Sequence, residues 1–165
     1  MTEKKIDKET LRSQILHRLE ADYKLQLQGA KSAHAAATHE ENIPDNKYAT
    51  LGLEASYLAQ GQANRAQEIL QAQQQFRQLN LVDFSAESTI HLTAVVDLVD
   101  DRGNHRRVFL APAAGGLVLE VDDAEILLIT PASPLGRELI GRECGDLVVL
   151  ASDATNREYE IVSIC

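Results

Sequence analysis

At 165 residues with a formal net charge of −9 and 4% aromatic residues, the chain has room for one or two small domains but not for a thick aromatic core. The longest apolar runs fall far short of the roughly 20 residues a membrane span needs, and the polar N-terminus lacks a signal-peptide core, so a cytoplasmic protein without a membrane partner is expected. The charge is one-sided. Residues 1–80 are neutral, with ten basic and ten acidic side chains, whereas residues 81–165 carry six arginines, no lysine and fifteen acids. Phosphate backbones require clustered cations, so direct nucleic-acid binding by the second half is not expected.

From Asp7, a residue type suited to a helix N-cap, the pattern becomes helical. Leu11, Ile15, Leu19, Tyr23, Leu27, Ala30, His34 and Ala37 recur at three- and four-residue spacing, predicting a helix over about 8–38 that would run roughly 45 Å. The stripe breaks at Thr38-His39-Glu40-Glu41-Asn42-Ile43-Pro44-Asp45-Asn46. Pro44 is tolerated at the start of a helix but not within one. A second stripe follows through Leu51, Ala55, Leu58, Ala59, Ala66, Ile69, Ala72, Phe76 and Leu79. Two helices of similar length joined by a short polar link predict an antiparallel coiled-coil hairpin over 1–82, with its tip at 39–46.

The remaining half, 83–165, alternates strands and turns. Ile90, Leu92, Ala94 and Val96 have the period of a strand, Asp100 to Asn104 reads as a hairpin turn, and Arg107 to Leu110 returns as a strand. Gly115-Gly116 is a turn before the apolar Leu117 to Leu119, and Ile126 to Ile129 reads as a buried strand. After Pro131, Ser133 can cap a helix whose first residue is Pro134, and Leu135, Leu139 and Ile140 give it an apolar face. Gly141 can close that helix in a left-handed conformation. A turn at Gly145-Asp146, a strand from Leu147 to Leu150, a turn at Asp153 to Asn156 and a last strand through Tyr159 and Ile161 complete the pattern.

Chemistry has few footholds. Cys144 and Cys165 are too few for a disulfide framework and read as reduced thiols. The five histidines lack the spacing of metal ligands. Glu40, Glu41 and Asp45 concentrate carboxylates at the hairpin tip, the hard oxygen donors that Mg²⁺ accepts. From residue types alone, a solvated turn and a helix N-terminus explain those acids at least as well.

The run SPLGRELIG, the GD turn with its short strand, and REYEIV resemble the C-terminal domain of the bacterial Gre transcript-cleavage factors; the likeness covers residues 88–165. DNKYATLGLEASYLAQGQ is similar to the start of their second helix. The resemblance implies an α+β protein, an N-terminal helical hairpin followed by an FKBP-like antiparallel sheet with one short helix. It implies a monomeric accessory factor, not an enzyme, that binds RNA polymerase and meets nascent RNA only indirectly. In that family the hairpin enters the polymerase secondary channel, and tip acids help hold Mg²⁺ shared within the polymerase active site while backtracked RNA is cleaved. Carried over, Asp45 and then Glu41 are the metal-facing acids, with Asn46 beside them, and Arg137 and Arg142 are candidates for docking on the polymerase. The factor itself would need no cofactor. The family pattern is an Asp, two residues, a Glu and an Asn; Asn42, Asp45 and Asn46 stand at those places, one carboxylate short. A channel-binding regulator that does not promote cleavage is therefore the alternative. Prolyl isomerase activity is not expected, because residues 86–165 offer only Phe109 and Tyr159 to line an aromatic pocket.

Overall fold

The computed structural model describes residues 5–38, 49–151 and 155–165. Two long helices, α1 (Lys8–Thr38) and α2 (Ala49–Gln78), precede six strands: β1 (Val95–Asp100), β2 (His105–Leu110), β3 (Val118–Val121), β4 (Ala124–Ile129), β5 (Leu147–Leu150) and β6 (Arg157–Ile164). A short helix, α3 (Pro134–Leu139), lies between β4 and β5. The α+β class expected from the sequence is borne out. Among the described residues, no helix is long and apolar enough to cross a membrane.

The chain divides into two compact units, residues 16–74 and residues 1–15 with 75–165. In the helical unit α1 and α2 run antiparallel. Gln73 Nε2 donates to Glu20 Oε2 at 2.9 Å, and further along, Gly29 lies so close to Gln62 that an added Cβ would come within 2.7 Å of its side chain. Leu19, Ala30, Ala33, Ala66, Ile69 and Ala72 are buried. Alanines at these positions cost little side-chain entropy in a helix and let two backbones approach. Two stripe positions differ from expectation. His34 is exposed and Ala33 is buried in its place, while Leu58 points to solvent and leaves its stripe neighbour Ala59 half-buried. A 3.6-residue repeat drifts against any fixed three-or-four spacing, so a one-residue phase error accumulates over several turns.

In the sheet unit, Asp7 caps α1 as its sequence position suggests. Its carboxylate accepts from the Glu9 amide at 3.1 Å and from Thr10 Oγ1 at 2.6 Å. The strands form one sheet in the order β3-β4-β2-β1-β6-β5. The expectation of an antiparallel sheet holds for four neighbouring pairs, but β2 and β4 are parallel, with Val108 opposite Leu127 and Leu110 opposite Ile129. Residues 111–123 separate those strands and are long enough for a crossover, which a tight hairpin would not allow.

Alternation over Ile90 to Ala94 does not make a strand. Thr93 takes φ +77°, and its amide donates to Leu110 O at 2.8 Å, so β1 begins only at Val95. The core gathers Val96, Leu98, Val108, Leu110, Tyr159 and Ile161 from the strands with Leu135 and Leu139 from α3. Ile140, expected on the apolar face of α3, is instead exposed. It is the C-cap, with ψ 129°, and its backbone has already left the helix.

Candidate functional site

Asp45, Glu41 and Asn46, with Glu40 and Asn42, lie outside the described residues, between the last residue of α1 and the first of α2. Among the described residues no cluster of His, Cys, Asp or Glu is arranged to hold a metal ion.

Arg137 and Arg142 are both in view, on and just after α3. Ser133 builds that helix: its Oγ accepts from the Gly136 amide at 3.0 Å and donates to Thr130 O at 2.7 Å, and Pro134 follows at the first helical position. Gly141, with φ +81°, ends the turn beyond α3, and its amide donates to Ile90 O at 2.8 Å. Both arginines are exposed, and each bonds to nearby backbone: Arg137 Nε donates to Ala132 O at 2.9 Å, and Arg142 Nε to Glu138 O at 3.3 Å. They thus share one end of the sheet unit without forming a bidentate site between them.

A polar constellation without any local sequence signal crosses three strands. Arg107 on β2 forms a fork with Asp97 on β1, Nε to Oδ1 at 2.5 Å and Nη2 to Oδ2 at 2.7 Å, and Ser163 on β6 donates to the same Oδ2 at 2.9 Å. It lies where the β1–β6 register shifts, between Asp97 and Leu98. An open groove of about 790 Å³ is lined by these two charged residues together with His105, Arg106, Glu125 and Leu127. Phe109 and Tyr159 are buried and line no part of it.

The start of α1 holds a second unanticipated arrangement. Lys8 is buried, its Nζ donating to Val82 O at 2.5 Å and lying 4.5 Å from the centre of the Phe84 ring. Arg12 Nη1 donates to Leu79 O at 3.0 Å, and Lys5 pairs with Asp83 at 3.0 Å on the surface. Lys8 and Arg12 of α1 therefore tie down the backbone that leads from α2 to the sheet at Leu79 and Val82, and Lys5, just before the helix, adds a side-chain pair with Asp83. Burial pushes the Lys8 amine down to about 8, against a partial opposing pull from Cys165 and Asp83.

Below pH 8 the ammonium is charged in both folded and unfolded chains, and burial disfavours the folded one. Between about 8 and 10.5 the unfolded chain holds the extra proton, so this group makes folding more favourable as pH rises, by an amount on the order of 3 kcal/mol. Urea unfolding at pH 7 and pH 10 is expected to show wild type gaining stability relative to Lys8→Met. Parallel pH profiles for the two proteins would contradict it.

No protein-family model matches the chain. Transcription elongation factor GreA of Alkalilimnicola ehrlichii is 34% identical over 82 residues, 48% of this chain and 48% of that protein. The chain thus aligns with about half the length of this curated relative. Among solved structures, the GreA factor homolog 1 (Gfh1) protein of Thermus thermophilus covers 93% of this chain and 94% of its own at 22% identity and TM-score 0.38. The elongation factor GreA/GreB from Nitrosomonas europaea covers 70% of this chain and 91% of its own at 14% identity and TM-score 0.37. At these TM-scores the structural alignments add nothing to the architecture described above. The chain resembles the Gre transcription elongation factors, as its residues 88–165 suggest, and GreA is a named relative that carries that resemblance.

Proposed function

We propose that the protein is a cytoplasmic Gre-like elongation factor that acts on RNA polymerase as an accessory, not as an enzyme in its own right. The 34% identity to a GreA over 82 residues is the observation that carries this reading. The antiparallel pairing of α1 and α2 agrees with it, because a two-helix rod can carry a short acidic segment into a narrow channel. The protein would work as a monomer, docking through the sheet unit near Arg137 and Arg142.

In this reading the hairpin enters the secondary channel and places Asp45, and after it Glu41, beside Mg²⁺ held by the polymerase, with Asn46 adjacent. A carboxylate there is a hard oxygen donor for the metal or an acceptor that orients a water. The polymerase performs the hydrolysis of backtracked RNA. A second reading, channel binding without cleavage, draws support from Asn42, which stands where the family has its first acid.

Transcript cleavage by a backtracked cognate RNA polymerase separates the two. Wild type is expected to accelerate cleavage, and Asp45→Ala to lower that stimulation at least tenfold, with a smaller loss for Glu41→Ala. Unchanged or slower cleavage by a protein that still co-purifies with polymerase would select the non-cleaving regulator. Failure to bind polymerase would remove both.

A further inference from the structure

We propose that the free edge of β5 is a docking strand for an extended segment of a partner protein in which apolar and basic residues alternate. The inference does not rest on the polymerase reading. Among the described residues, β5 and β3 are the outermost strands of the sheet, so alternate backbone N–H and C=O groups of each face away from the neighbouring strand. Sheet edges are ordinarily protected by charge, proline or a bulge. β3 follows that rule: it carries Glu120 and leads into exposed Asp122 and Asp123. β5 carries no charge within the strand, whose sequence is Leu147-Val148-Val149-Leu150; Asp146 before it has its carboxylate turned to the Glu143 amide.

Val148 turns into the core, which leaves Leu147 and Val149 on the opposite face, 56% and 45% exposed, with Val162 of β6 38% exposed nearby. Directly across the β5–β6 ladder from these two residues stand Glu160 and Glu158, both exposed. An added strand would therefore meet backbone partners along its length and, on the one face that holds Leu147 and Val149, two carboxylates one strand further in. The aliphatic stems of lysine or arginine side chains on that face can lie on Leu147 and Val149 while their charged ends reach the carboxylates, whereas acidic side chains would be repelled. The same charges argue against a second copy of this chain, which would bring its own Glu158 and Glu160 toward them.

The test uses the full chain and capped synthetic peptides of alternating lysine and valine, alternating glutamate and valine, and the lysine peptide methylated on alternate backbone nitrogens. The lysine peptide is expected to bind and to slow amide exchange at Leu147–Leu150 but not along β3. Methylation should abolish that protection, and the glutamate peptide should not bind. Glu158→Lys with Glu160→Lys, and separately Val149→Lys, change exposed side chains and are each expected to weaken binding at least tenfold while circular dichroism stays unchanged. Three results would overturn the proposal: no slowed exchange on β5 at high peptide, equal affinity for the double-lysine variant, or concentration-dependent sedimentation of the free protein that Val149→Lys removes. The last would assign the edge to self-association.

Discussion

Gly136→Ala is expected to destabilise the sheet unit by about 3 kcal/mol, the upper range for forcing extra volume into a packed site. A Cβ built on Gly136 would sit 2.0 Å from Thr130 O and 2.9 Å from Ser133 Oγ. The first of these is backbone, and it is already committed. Thr130 O accepts from the Ser133 amide at 3.0 Å and from Ser133 Oγ at 2.7 Å, so it cannot retreat without loosening the cap that starts α3. Leu135 and Leu139 would shift with the helix and open the core. A melting temperature lower by roughly 10 °C would register the effect. Gly61→Ala is the control: nothing lies within 4 Å of the added Cβ, and alanine in a helix is favoured by about 1 kcal/mol over glycine. Equal melting temperatures for the two variants would show that the approach at Gly136 is not as tight as described.

Asp97→Ala is expected to cost about 2–4 kcal/mol, because it removes a carboxylate that answers three donors on two other strands. The side chains of Arg107 and Asp97 are 26% and 15% exposed, so the pair is sheltered enough for its loss to exceed that of a surface ion pair. Asp97→Asn keeps the shape and an oxygen for Ser163 and should lose less, about 1–2 kcal/mol. Urea midpoints of the two variants and of Arg107→Met would rank these terms. A wild-type midpoint for Asp97→Ala would mean that the fork adds nothing to stability.

These two positions show which information a single sequence carries. Helix limits were legible because local chemistry marks them: Asp7 before α1, the Ser133-Pro134 pair before α3, Gly141 after it. Turns at Gly103, Gly116 and Gly145 were legible for the same reason, since each adopts the positive φ that glycine allows. The hairpin between β3 and β4 was missed although it had a signal, Asp122-Asp123 between apolar runs, with φ +52° and +63°. Strand direction was not legible. Ile126 to Ile129 is apolar throughout, and such a run states burial but not orientation, so the parallel partner β2 could not be read from it.

The same limit hides the Asp97 fork, which exists only once register sets Asp97 opposite both Arg107 and Ser163. Gly136 was hidden for a different reason: its small size answers a carbonyl six residues earlier, and helical periodicity does not report such an approach. Of the candidate site residues, the described structure places Arg137 and Arg142, whose positions follow from α3 itself.

The order of strands has a further consequence for how the sheet is assembled. β1 with β2, and β3 with β4, are neighbours in the chain and can zip together as soon as they are made. β6 is the last of the six along the chain, yet it lies inside the sheet, between β1 and β5. Until it arrives, β1 has an open edge beside Val96 and Leu98, and β5 has no strand to pair with. Closing that gap joins residues far apart in sequence, which slows folding through loop-closure entropy. A growing chain on the ribosome must therefore shelter an apolar strand edge through the synthesis of α3 and β5, and that interval is when chaperone contact or mispairing would matter most.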